Sequence, residues 1–142
     1  MRHFLLDTSA LLALRDDEPG ADRVASLLRD SAVQCHACFM TRMELLYRVW
    51  KDENELAGKL ALQQCLALPL NWVEASDGLL LQAAELKAEY SISMVDAWIA
   101  AAAMRQRATL LHKDPEFNAL SIEQEWLPLK TSQYDAGIDQ DD

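Results

Sequence analysis

The stretch His3-Phe4-Leu5-Leu6-Asp7-Thr8-Ser9-Ala10-Leu11-Leu12-Ala13-Leu14 joins two apolar runs through a polar seam. Phe4 to Leu6 is a continuous apolar run of the kind that fills a central parallel strand buried on both faces. Thr8 and Ser9 are good helix N-caps, and the apolar content that resumes at Ala10 reads as a short helix to Leu14. Asp7 stands between the two. A carboxylate that closes the most buried strand must be solvated, paired or bound to a cation, because an isolated buried charge is too costly to keep. Capping the short helix needs only Thr8 or Ser9, so the strand-end carboxylate calls for another explanation.

Working outward, Asp16-Asp17-Glu18-Pro19-Gly20 is a polar turn. Val24, Leu27 and Leu28 recur at helical spacing through residues 21–30, and residues 33–38 read as a second strand. A strong helix starts at Thr41 and carries Met43, Leu46, Tyr47 and Trp50, with Thr41-Arg42-Met43-Glu44 matching a capping box. Residues 52–68 predict another helix, ended by Pro69, and Trp72 and Val73 a short strand. Asp77 opens an amphipathic helix to Tyr90. Ser93-Met94-Val95-Asp96 is again box-like and leads into an alanine-rich helix to Arg105. Residues 109–112 are a strand, 113–117 a turn with a brief helical start, and 122–127 a last strand. Strands separated by helices predict a parallel α/β sheet covered on both faces, with ligands at the edge where the strands end.

Four acids fall at that edge. Asp7 ends the first strand, Glu44 and Asp96 lie in the first turns of their helices, and Asp114 follows the 109–112 strand. Several carboxylates in one cleft repel unless a cation neutralises them, and hard oxygen ligands select Mg²⁺ or Mn²⁺, which also bind phosphate oxygens. Such a site suits phosphodiester hydrolysis, because the ion lowers the pKa of a water, orients it and offsets phosphate charge. Each acid also has a structural reading. Glu44 and Asp96 occupy the acidic position of a capping box, and Asp114 before Pro115 suits an N-cap with proline at the first helical position.

The net charge of −10 argues against a basic nucleic-acid footprint. Much of it is local: Asp135, Asp139, Asp141 and Asp142 sit in the tail, and the four candidate ligands carry as much again. With 142 residues, 51% hydrophobic and 25% charged, the chain suits one soluble domain. Three cysteines make no disulfide framework. Asp7 interrupts any signal-peptide core, and no apolar stretch reaches the length of a membrane span. Together these predict a cytoplasmic protein.

Asp7-Thr8-Ser9-Ala10-Leu11-Leu12, Thr41-Arg42-Met43-Glu44-Leu45-Leu46, Ser93-Met94-Val95-Asp96-Ala97-Trp98-Ile99-Ala100-Ala101 and Leu110-Leu111-His112-Lys113-Asp114-Pro115-Glu116-Phe117, in this order and spacing, resemble a PIN domain of the VapC-type toxin ribonucleases. The resemblance extends to about Leu127. It implies a three-layer α/β/α fold with a central parallel sheet over residues 1–130; the tail at 131–142 is no part of the shared pattern, and its acidic, polar composition predicts disorder. The resemblance also implies Mg²⁺- or Mn²⁺-dependent cleavage of RNA, a homodimer and a cognate antitoxin protein, with no membrane role. Asp7, Glu44, Asp96 and Asp114 fall on the family's acidic quartet, Asp7 and Asp96 as principal metal ligands, and Thr8 falls on its small hydroxyl neighbour. His112 departs from the family, where Thr or Ser is common; either it tunes the fourth acid or contacts substrate, or it is a strand-end histidine without chemistry. Arg42 and Lys113 adjoin two of the acids and can meet phosphates. The competing expectation is a non-catalytic PIN-like dimerisation or partner-binding module whose acids survive as helix caps.

Two further motifs compete less well. Cys35-His36-Ala37-Cys38 is a CxxC between strand and helix, as in a redox motif, although buried cysteines are also common core residues. An aspartyl-phosphate phosphatase opens with a similar strand but wants a second Asp at the position held here by Ser9. Among the tryptophans, Trp98 is placed to line a groove or a dimer contact.

Overall fold

Phe4, Leu5 and Leu6 are fully buried in β1 (Arg2–Leu6), the central strand of a sheet completed by β2 (Val33–Cys38), β3 (Asn71–Val73), β4 (Thr109–His112) and β5 (Gln124–Trp126). The computed structural model describes residues 1–129, so the expected tail at 131–142 lies outside the described residues. All pairings are parallel, in the order β3-β2-β1-β4-β5, with Leu5 opposite His36 on one side and Leu110 on the other. The connecting helices are α1 (Thr8–Arg15), α2 (Ala21–Arg29), α3 (Phe39–Asp52), α4 (Glu55–Leu66), α5 (Asp77–Glu89) and α6 (Met94–Arg105).

The two-residue alternation of a strand divides the core. Phe4, Leu6, Cys35, Ala37 and Leu111 face a layer built from Leu11, Val24, Leu27, Leu45, Val49, Ala61 and Cys65 of α1 to α4. Leu5, Cys38, Val73 and Leu110 face the opposite layer, with Leu79, Ala83 and Leu86 of α5 and the alanines of α6. This is the three-layer α/β/α arrangement with a central parallel sheet. Ala97 and Ala100 to Ala103 are at most 2% exposed, because a helix faced with methyl groups approaches both the sheet and α5 closely. That close approach draws the first turn of α6 into the molecule. Among the described residues no helix is long and apolar enough to cross a membrane.

The structure corrects four local expectations. Asp7, not Thr8 or Ser9, is the N-cap of α1, which begins at Thr8. Strand β2 runs directly into α3 at Phe39, with Cys38 as a cap that makes no side-chain bond, so Thr41-Arg42-Met43-Glu44 is no capping box and Glu44 sits in the second turn. The Thr41 hydroxyl instead accepts from Thr8, 3.2 Å away, and ties α3 to α1. The helix expected at 52–68 breaks at Asn54, whose side chain accepts from the Ala57 N–H at 2.8 Å and starts α4. The last strand is only three residues long. Gly58 is required where α4 crosses α3, since a Cβ there would lie 2.9 Å from the Leu46 carbonyl oxygen.

Candidate metal centre

The end of β1 places the Asp7 side chain at the C-terminal edge of the sheet, 3% exposed. Its Oδ2 accepts from the Ser9 hydroxyl at 2.6 Å and the Ser9 N–H at 3.3 Å. The same Ser9 oxygen accepts from the Lys113 N–H at 3.0 Å, while the Asp7 N–H donates to the Leu111 carbonyl at 3.0 Å. One hydroxyl therefore locks the ends of β1 and β4 together behind the carboxylate.

Asp96 arrives from the other layer. Ser93 caps α6 by accepting from the Asp96 N–H at 3.1 Å, which is half of the expected capping box. The reciprocal half is made by a different residue: the Ser93 N–H donates to Glu116. Asp96 is thereby released from capping, and its carboxyl turns inward, 5% exposed. Asp114 caps the 3₁₀ turn Pro115–Ala119 by accepting from the Glu116 N–H at 2.9 Å, as the following proline suggests. Asp7, Glu44, Asp96 and Asp114 all line one cleft of about 270 Å³. Glu116 joins them: one carboxylate oxygen from each of Asp96, Asp114 and Glu116 lies within 4.8 Å of the others.

Burial pushes Asp7 up to about 6, against the pull of the Ser9 hydroxyl and with the help of the nearby Glu44 charge. Asp96 is raised far above the usual carboxylate range, first by burial, then by a hydrogen bond to Glu116 and by the charges of Asp7, Asp114 and Glu116. Nearby cations do not relieve this crowding. Arg15 is held by Asp16 at 2.7 Å and Glu53 at 2.8 Å, and Lys113 lies 3.3 Å from Glu18. A cluster of oxygen-only donors that cannot all ionise without added positive charge fits a hard divalent cation. Asp96, Asp114 and Glu116 bring oxygens close enough to share such an ion, and Asp7 and Glu44 line the cleft beside them.

The residues named for substrate contact separate. Lys113 lines the cleft, 9% exposed. Thr8 and His112 have no exposed surface. Both His112 nitrogens are engaged: Nε2 with Gln124 Oε1 at 2.8 Å, so that Nε2 carries the proton, and Nδ1 as acceptor from the Asp114 N–H at 3.0 Å. The ring also packs against Phe117 and Trp126. His112 therefore orients the Asp114 backbone from beneath, with burial lowering its pKa. Arg42 is outside the cleft lining, paired with Glu74 and stacked over Trp72.

Sequence reasoning missed Glu116 beside Asp96 and Asp114, and Arg15, Glu18 and Arg48 in the cleft. Only Glu116 left a signal, two residues after Asp114 on a turn that proline starts. The CxxC is resolved as core: Cys35 and Cys38 are buried on opposite faces of β2, and burial pushes their thiols up to about 11 and about 12. Trp98 lines an apolar groove of about 370 Å³ between α5 and α6, with Leu80, Ala83, Lys87 and Met94.

A family model described as PIN domain matches residues 4–123. Among solved structures, VapBC2 from Rickettsia felis bound to a promoter DNA fragment aligns with a TM-score of 0.73 and 19% identity, over 89% of this chain and 99% of that one. DNA-bound VapBC from Salmonella typhimurium aligns at 0.71 and 19%, over 89% and 98%. VapC20 from Mycobacterium tuberculosis, a toxin that cleaves the sarcin-ricin loop, aligns at 0.68 and 16%, over 84% and 95%. At these identities the likeness is one of fold. No curated protein matches the chain.

Proposed function

The chain belongs to the PIN domain family, and on that premise we propose that it is a metal-dependent endoribonuclease, the toxin of a VapBC-type pair, acting in the cytoplasm. The observation that carries the reading is the convergence of Asp7, Glu44, Asp96 and Asp114, from four separate segments, on one cleft. Mg²⁺ or Mn²⁺ is the cation that this oxygen donor set suits. When bound, it neutralises phosphate charge and makes water a competent nucleophile for phosphodiester hydrolysis.

The chain's own residues supply geometry. Ser9 holds the Asp7 carboxylate, and Ser93 with Glu116 fixes the start of α6, so that the two acids proposed as principal ligands line one cleft. Glu44 and Asp114 complete the pocket, directly or through water. His112 holds the Asp114 backbone, and Thr8 braces α1 against α3. Asp96, raised far above the usual carboxylate range by burial, would hold the cation as its carboxylate. The partners that complete this reading are RNA as substrate, a cognate antitoxin, and a second copy of the chain. The apolar groove with Trp98, flanked by Leu80 (50% exposed) and Met94 (66% exposed), is the face that suits a homodimer.

The test is cleavage of RNA in the presence of Mg²⁺ or Mn²⁺ by the chain and by Asp7→Asn. Cleavage is expected for the first and loss of it, with an unchanged circular dichroism spectrum, for the second; equal cleavage by both would overturn the mechanism. A second reading, a non-catalytic PIN-like module, is favoured by one observation: Asp7 and Asp114 do act as helix caps. It requires a thermal midpoint that ignores divalent metal.

A further inference from the structure

The cleft is lined by eight acids, Asp7, Asp16, Glu18, Glu44, Asp52, Glu53, Asp96 and Asp114, against three cations, Arg15, Arg48 and Lys113. One divalent ion leaves such a cavity negative, and a polyanion approaching its mouth is repelled unless a cation there is free to meet it. Arg15 is committed to Asp16 and Glu53, and the Lys113 ammonium is buried beside Glu18. Arg48 differs. It is exposed, and among the described residues it makes no ion pair or hydrogen bond. It stands on α3 one turn after Glu44 and one turn before Asp52, spacings that favour i,i+4 pairing, yet it pairs with neither. Its position on the same helical face as Glu44 puts a planar, five-donor guanidinium at the rim, where it can fork a phosphate with two hydrogen bonds.

We propose that Arg48 is the residue with which this chain grips a backbone phosphate of the RNA strand entering the cleft, close to the phosphodiester held over the acids. The inference rests on the ribonuclease reading and adds a substrate-binding residue to it. Contact through phosphate carries no base information, so Arg48 contributes affinity and register rather than sequence preference.

The test uses the full chain carrying Asp7→Asn, which is expected to hold RNA without cutting it, and a fluorescein-labelled single-stranded RNA of mixed sequence followed by anisotropy across a salt series. Adding Arg48→Ala is expected to weaken binding several-fold and to lower the slope of log K against log salt by about 0.7, the share of one phosphate contact on a single strand. Arg48→Lys should restore the slope and only part of the affinity, because a point charge replaces the fork. In the cleaving chain Arg48→Ala should raise KM and spare kcat. Unchanged affinity and slope, or a fall in thermal midpoint with neither altered, would overturn the proposal and make Arg48 a counter-charge for α3. If the unaltered chain neither binds nor cuts RNA with Mg²⁺ or Mn²⁺, the ribonuclease reading falls and takes this with it. If it cuts and Arg48→Ala binds as well, only the role of Arg48 falls.

Discussion

At the C-terminal edge of the sheet the buried carboxylates of Asp7 and Asp96 share a cleft crowded with further acids; toward the starts of β1 and β3, the buried His36 is instead paired through both ring nitrogens. There His3 Nδ1 lies 2.9 Å from His36 Nε2, and Asn71 Nδ2 lies 2.8 Å from His36 Nδ1. Asn71 Nδ2 is a donor, so His36 Nδ1 accepts, its Nε2 carries the proton, and His3 Nδ1 receives it. The near-parallel rings, 28° apart with centroids at 5.2 Å, put this bond in line. Strands β1, β2 and β3 are stitched by these two side-chain bonds through His36. At the acid edge Asp96 is held far above the usual carboxylate range, first by burial, then by its hydrogen bond to Glu116 and by the charges of its neighbours. Desolvated acids crowded in a cleft mark a candidate binding site, whereas the histidine side of the same sheet pairs its polar groups with one another.

The largest expected break is Asp96→Asn. Loss of the carboxylate should reduce metal-dependent turnover by at least the roughly 10–100-fold that removing a partner behind a metal ligand costs. In metal-free buffer the thermal midpoint should not fall, since the amide replaces an already neutral acid. A large fall in the midpoint would mean that the acid is structural.

Next in size is the response to metal. Divalent cation at a hundredfold excess over its Kd should stabilise the native chain by about 2.7 kcal/mol, read as a rise in thermal midpoint, and the rise should vanish in Asp7→Asn. A flat titration would favour the non-catalytic module.

The smallest effect sets the two edges against each other in pH. Asp7 has a folded pKa of about 6, above its ordinary 3.8, so its contribution to metal-free stability is full below 3.8 and is lost as pH rises through about 6. His36 runs the other way. Burial and the facing His3 lower its pKa from 6.5, so its contribution is full above 6.5 and is lost as pH falls below that value through the folded pKa. Denaturant midpoints measured between pH 4 and 8 (about the window those shifts define) should respond oppositely in two variants. Asp7→Asn should remove the gain on acidification, and His36→Gln the loss. Parallel curves for both variants would sink the contrast.

Much of the acid edge was legible because it follows from topology. Parallel strands all end at one edge, and a residue that ends a strand or begins the next helix lands there whatever its neighbours are, which is why Asp7 and Asp114 line the cleft as expected; Asp96 joins them although α6 follows α5 and not a strand, because of how α6 packs. Glu44 reached the cleft for a reason other than the one its pattern suggested. The capping-box spacing from Thr41 is coincidental, since β2 passes straight into α3, and Glu44 faces the cleft from the second turn. Glu116 was missed because its bond to Ser93 joins segments far apart in sequence. Arg15, Glu18 and Arg48 were missed because nothing in a helical pattern says which polar residue lines a cavity. The CxxC failed as a redox motif because successive odd and even positions of a strand point to opposite faces, here into two separate cores.

What the amino-acid sequence determined by itself is the order of strands and helices and the edge at which Asp7 and Asp114 lie, because hydrophobic period and chain direction are local properties that sum along the chain. Only the tertiary structure decided the electrostatic state of that edge. Whether Asp7 keeps its proton, whether Asp96 is spared from capping by Glu116, and whether Arg48 is left without a partner depend on burial and on distances between segments far apart in the chain, and both exist only once the layers have packed.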